Sequence, residues 1–193
     1  SNESLSAPDI QINFTPGTHQ RGMQSTLENQ AGFTMATWQH RPESFGYVRA
    51  RSQDPFKHPE IQPNYLAADT DQQVILAAIK TCRKLAQTEA LKPFIVNETF
   101  PGAACQNDDE LLNSAREIGQ SIYHLMGTCR MGNRDDKTAV VDAELRVHGI
   151  KNLRVIDASI MPTMVSANLN AAVMMIAEKG ADMVLGKLSA KLH

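Results

Sequence analysis

"AVVDAELRVHGIKNLRVIDAS", residues 139–159, sets short β-branched runs between Asp-Ala and His-Gly pairs. β-Branched side chains suit a pleated backbone, whereas Asp, Asn and Gly suit turns, so the stretch predicts two or three short strands with tight turns. Beyond it, a helix is predicted from near Asn170 through Leu185. Its first turns, "AAVMMIA" at 171–177, are apolar on every side. Such a helix is expected to be wrapped by protein rather than laid on a surface. "ANLN", residues 167–170, stands just before it, and Asn170 is a candidate N-cap. A helix start also carries partial positive charge and free N–H donors, which would stabilise an anionic ring, phosphate or oxyanion.

Toward the N-terminus the pattern changes. "DIQINF" (9–14) alternates apolar and polar and reads as a half-buried strand. Residues 15–31, rich in Gly, Thr, Gln and Asn, read as a loop. "GFTMATWQH" (32–40) and "YVRARS" (47–52) are strand-like and joined by the turn residues of "RPESFG". The first third is therefore expected to be antiparallel sheet. "DPFKHPEIQPNY" (54–65), with three prolines, reads as irregular. A helix should follow, capped by Asp69, Thr70 or Asp71 and running to about Gln87, with Ile75, Ile79, Cys82 and Ala86 as its buried stripe. A second helix is expected over 109–118, capped by Asp108 or Asp109. The fold class is α+β, a mixed or antiparallel sheet with packed helices.

At 193 residues, 42% apolar and 21% charged, the chain has the make-up of an ordinary globular protein. A net charge of −2 without a basic block argues against nucleic acid as partner. The longest apolar run is too short to span a bilayer, so no transmembrane segment is expected. Cys82, Cys105 and Cys129 are odd in number and widely spaced, which points to a reducing, cytoplasmic compartment rather than a disulfide framework. No Cys or His pairs at zinc-ligand spacing, and no metal is expected.

"SIYHLMGTCRMG" (121–132) offers three chemistries: a Cys/His nucleophile pair, half a metal site, or a single histidine base. His124 and Cys129 are close in sequence, which is no support for a nucleophile pair, since such partners usually come from distant segments. A small buried thiol is the commoner fate for Cys129. For a histidine read in isolation, a hydrogen-bonded core residue is the commoner outcome. His148, before Gly149, reads as turn packing, and His19, His40 and His58 read as solvated.

The order of the pieces adds what no piece carries alone. H-x-x-G-T-x-x-M-G (124–132) is followed by "VVD" (140–142), "LRVHGIKNLRVIDASIMPT" (145–163), "SANLNA" (166–171) and "MIAEKGADM" (175–183). Upstream stand "RPES" (41–44) and "VRARSQDPFKHPEIQPNYL" (48–66). Across nearly its whole length the chain resembles the C-terminal region of the glucose–methanol–choline flavoprotein oxidoreductases, nearest to the choline-dehydrogenase-like alcohol dehydrogenases.

The resemblance implies FAD and oxidation of a primary alcohol to an aldehyde. By motif position it implies that His124 is the catalytic base and Asn168 its active-site partner. It further implies that Asp157, Ala158, Asn168, Leu169 and Asn170 face the flavin. Residues 1–120 would then be a substrate-binding portion, and residues 121–193 would return to a flavin domain. That family binds ADP through G-x-G-x-x-G in a Rossmann unit, and no G-x-G occurs here. The expectation is therefore a C-terminal part lacking the flavin domain, inactive alone, not retaining FAD, and prone to self-association. The electron acceptor stays open, as does a membrane association of the full-length protein. Leu125 stands where the family often has Pro. An alternative is a stand-alone binding module that kept the scaffold without the chemistry.

Overall fold

The computed structural model describes residues 1–2, 4–20 and 23–187. The chain divides into two compact units, residues 1–46 with 62–120 and residues 47–61 with 121–193. The architecture is α+β, with short antiparallel strand pairs and helices.

In the first unit, β1 (Ile10–Thr15) pairs antiparallel with β4 (Thr34–Gln39), Ile10 opposite Gln39 and Thr15 opposite Thr34. The stretch expected to be loop holds a small hairpin, β2 (His19–Gln20) with β3 (Met23–Leu27). The β1–β4 pair packs on α1 (Asp69–Ala86), and α1 packs on α2 (Asp108–Ile118). Val74, Ala78, Leu111 and Leu112 are buried in this unit.

The α1 stripe is displaced from the expected one. Asp71, Val74 and Ala78 are buried, while Ile75, Ile79, Cys82 and Ala86 are half-buried at its flank. The cause is Asp71, which turns inward instead of capping. Its carboxylate accepts the N–H groups of Glu43 and Ser44 at 2.8 Å each and the Ser44 hydroxyl. The N-cap position is Ala68, without a side-chain cap, and its N–H donates to Ser44 Oγ at 3.0 Å. So the acid of α1 holds the "RPESFG" turn. Burial alone would push the Asp71 carboxyl up, but the donors from Glu43 and Ser44 outweigh it and hold it below the usual carboxylate range. α2 is capped by Asn107, not by Asp108 or Asp109. Asn107 Oδ1 accepts from Glu110 N–H and the Glu110 carboxylate accepts from Asn107 N–H, a reciprocal capping box.

His40 is half-buried rather than solvated, and its Nε2–H donates to Gln11 Oε1 at 2.8 Å. His19 is half-buried as well, whereas His58 is exposed.

In the second unit, β5 (Tyr47–Arg49) pairs with β6 (Glu60–Gln62), a strand inside the stretch expected to be irregular. Residues 139–159 form isolated pairings instead of full strands: Met131 with Val141, Val141 with Val147, and Arg146 with Arg154. Leu145 (φ 64°), Gly149 (φ 79°) and Asn152 (φ 61°) are left-handed, which breaks the extended run every few residues. The core gathers Val141, Leu145, Ile160, Met161, Leu169 and Ile176. α3 (Asn170–Val184) buries one stripe through Ile176 and Gly180. It is not wrapped all round: Met174 and Met175 are 62% and 60% exposed, and Val184 and Leu185 are exposed too. Among the described residues no helix is long and apolar enough to cross a membrane.

Candidate active site

The two motifs that carry the site are joined by backbone. Gly127 N–H donates to Ala158 O at 3.4 Å, Cys129 N–H to Ser159 O at 2.9 Å, and Met131 N–H to Ile160 O at 2.7 Å. Residues 127–131 therefore run along the 3-10 turn Ala158–Ile160. Asp157 caps that turn, its Oδ1 accepting Ser159 N–H at 2.8 Å. The ladder starts at Gly127 with φ 85°, a conformation glycine adopts without steric cost. Further along, Arg130 reaches Asp136 at 3.7 Å. The hydroxyl and N–H of Thr138, with Arg130 beside them, hold the Asp136 carboxyl below its usual range.

Core residues then aim the polar ones. Leu169 is 5% exposed, locked beside Ile160 and Met161, so its neighbours Asn168 and Asn170 stand at the surface. Met126 packs against the same cluster and leaves His124 half-buried and Leu125 exposed. The outcome is a direct contact: Asn168 Nδ2 donates to His124 Nε2 at 2.7 Å. An amide nitrogen can only donate, so this contact assigns Nε2 the acceptor role and the ring proton to Nδ1. Once a hydroxyl displaces that amide bond, Nε2 can take its proton while the amide turns to hold the oxygen left behind.

The other expected site residues fall as follows. Asp157 is exposed and Ala158 half-buried at the 3-10 turn. The Leu169 side chain belongs to the core, which leaves only its backbone to face a ligand. Asn170 begins α3 but does not cap it; its amide reaches only Met174 Sδ at 4.0 Å. Leu169 occupies the N-cap position in helical conformation with no side-chain cap. Among the described residues, no acceptor meets the N–H groups of Asn170 and Ala171.

Cys129 is a half-buried free thiol tied into the ladder by its N–H. His148 Nε2–H donates to Gly132 O at 3.1 Å, a turn-packing contact. Among the described residues, no group of three His, Cys, Asp or Glu is placed to hold a metal ion. Sequence reading missed Ser121 and Tyr123. Tyr123 has φ 61° and its N–H donates to Ser121 Oγ at 2.9 Å, and a tyrosine gives no sequence signal of left-handed backbone.

Comparison with known proteins identifies the family. The GMC oxidoreductase family matches residues 42–177, and the chain belongs to that family. Mitochondrial choline dehydrogenase of Homo sapiens is 44% identical over 181 residues, 93% of this chain and 30% of that protein. The oxygen-dependent choline dehydrogenase of Escherichia coli O127:H6 is 42% identical over 188 residues, 97% of this chain and 33% of that protein. Among solved structures, pyridoxine 4-oxidase from Mesorbium loti superposes with a TM-score of 0.79 at 28% identity, over 94% of this chain and 35% of that one. Formate oxidase of Aspergillus oryzae RIB40 (its R554K variant) gives 0.78 at 29%, over 94% and 32%. The chain spans about a third of the length of the curated relatives it matches.

Proposed function

We propose that this chain is the C-terminal, active-site-bearing part of an FAD-dependent alcohol dehydrogenase of the choline-dehydrogenase kind, oxidising a primary alcohol to its aldehyde. Residues 1–120 would serve the substrate side and residues 121–193 the flavin side. The observation that carries the reading is the 2.7 Å contact of Asn168 Nδ2 with His124 Nε2, which joins two segments 44 residues apart.

His124 Nε2 accepts the hydroxyl proton of the alcohol, and Asn168 Nδ2 donates to the oxygen as negative charge develops there. FAD, when bound, supplies the acceptor for the hydride. The uncapped start of α3 fits an electron-rich group, because the N–H donors of Asn170 and Ala171 are open and the residues are exposed. Asp157 and Ala158, Asn168 and Asn170 with their side chains, and Leu169 with its backbone, are the residues that would hold the flavin. Choline is the first substrate to test, given the relatives' names.

The test is anaerobic flavin reduction by choline in the full-length protein. H124A should slow it by about 10²–10⁴-fold, the usual contribution of a positioned base. Reduction at a near-normal rate would overturn the base assignment.

A further inference from the structure

Tyr123 is a bulky residue in left-handed backbone, φ 61°, directly before His124. Glycine, Asn and Asp are the usual occupants of that region, and a tyrosine persists there only where its surroundings over-determine it. The ring is not what holds it. It is 78% exposed, and among the described residues it makes no hydrogen bond or ring contact. The backbone is held instead from both sides. Behind it, Ser121 Oγ accepts Tyr123 N–H at 2.9 Å. Ahead of it, Gly127 enters the ladder on Ala158 and Met126 packs on the core. Between those two anchors the chain must present His124 toward Asn168 and turn Leu125 outward within three residues.

We propose that Ser121 and Tyr123 are positioning residues: the left-handed turn at Tyr123, pinned by Ser121 Oγ, aims His124 Nε2 at Asn168 and fixes the ring proton on Nδ1. The proposal rests on the reading of His124 as the base, because in the Nδ1–H tautomer Nε2 carries the lone pair that can take a proton. Its requirement is on the backbone, so glycine should replace Tyr123 without loss, while a β-branched residue, for which positive φ is a true outlier, should not.

Nitrogen-15 imidazole spectra of the 193-residue chain test this, with the His124 signals assigned by their loss in H124Q. The original chain and Y123G should show one His124 tautomer, protonated on Nδ1. Y123V and S121A should show exchange-averaged ring nitrogens and a shifted Asn168 amide. S121T should restore the single tautomer, since its hydroxyl can accept the same bond. Should Y123V fail to fold, S121A and S121T decide alone. A single unshifted tautomer in S121A overturns the proposal, and so does a Y123G spectrum as averaged as that of Y123V, which would assign the effect to the ring. The base reading is judged separately by flavin reduction in full-length H124A, so one can fail while the other stands.

Discussion

Asn168 Nδ2 and His124 Nε2 are direct partners at 2.7 Å, so the two side chains occupy each other across 44 residues of sequence. In the proposed reaction an entering hydroxyl replaces that bond: it gives its proton toward Nε2 and receives the amide bond on oxygen. The two residues should therefore act as a unit. In the full-length protein N168A should slow flavin reduction by about 10²–10³-fold, the cost of one lost donor to a developing oxyanion. The double variant should fall no more than about tenfold below H124A, because groups that work on one proton transfer are not additive. Fully multiplicative losses in rapid-kinetic traces would separate the two roles.

Asp71 should be the acid-sensitive point of the first unit. Its folded pKa lies below the unfolded value of 3.8, so its contribution is complete above that value and is lost as pH falls through the folded one. D71N puts an amide where two N–H groups and a hydroxyl need acceptors. It should cost about 3 kcal/mol at neutral pH, and the difference from the original chain should shrink in acid. Urea unfolding at several pH values measures both.

Gly180 lies against Ile156, and a Cβ built there would overlap the Ile156 methyl Cγ2. G180A should destabilise by roughly 1–3 kcal/mol, despite the better helix propensity of alanine. Pairing it with I156A should recover part of that loss by opening space. Equilibrium denaturation of the two single variants and the double gives the coupling.

N107A removes the side-chain half of the α2 capping box and should cost about 1 kcal/mol. N107D keeps an acceptor at the same place and should be close to neutral in thermal unfolding.

The exposed methionines of α3 should make the 193-residue chain bind an apolar dye and associate with itself. The double substitution M174E/M175E should reduce dye fluorescence and the mass seen by light scattering. A monomeric chain with no dye binding would contradict this.

The helices were legible because they rest on spacing, and the pairing of His124 with Asn168 because the order of motifs resembles a known family. The α2 cap was missed, with Asp108 or Asp109 expected, although Asn107 with Glu110 three residues on has the spacing a capping box needs. What else escaped was set by tertiary contacts. The α1 stripe is displaced because a charged residue, Asp71, is drawn inward to serve Glu43 and Ser44, and hydrophobic periodicity does not register a buried acid. The runs in 139–159 look like strands because Leu145, a good apolar core residue, does not announce its left-handed φ of 64°. Tyr123 hides in the same way.

The ladder of 127–131 on 158–160 divides its neighbourhood into parts that can change length and parts that cannot. Gly149 to Leu153 is exposed, and Val147 N–H closes the hairpin behind it on Leu153 O at 3.0 Å. A peptide or label spliced in between Ile150 and Lys151 would lengthen only that tip. A residue added between Gly127 and Met131 would instead slip the register against Ala158–Ile160 and carry His124 away from Asn168. The tip is thus the natural attachment point for a reporter, and the register its natural sensor.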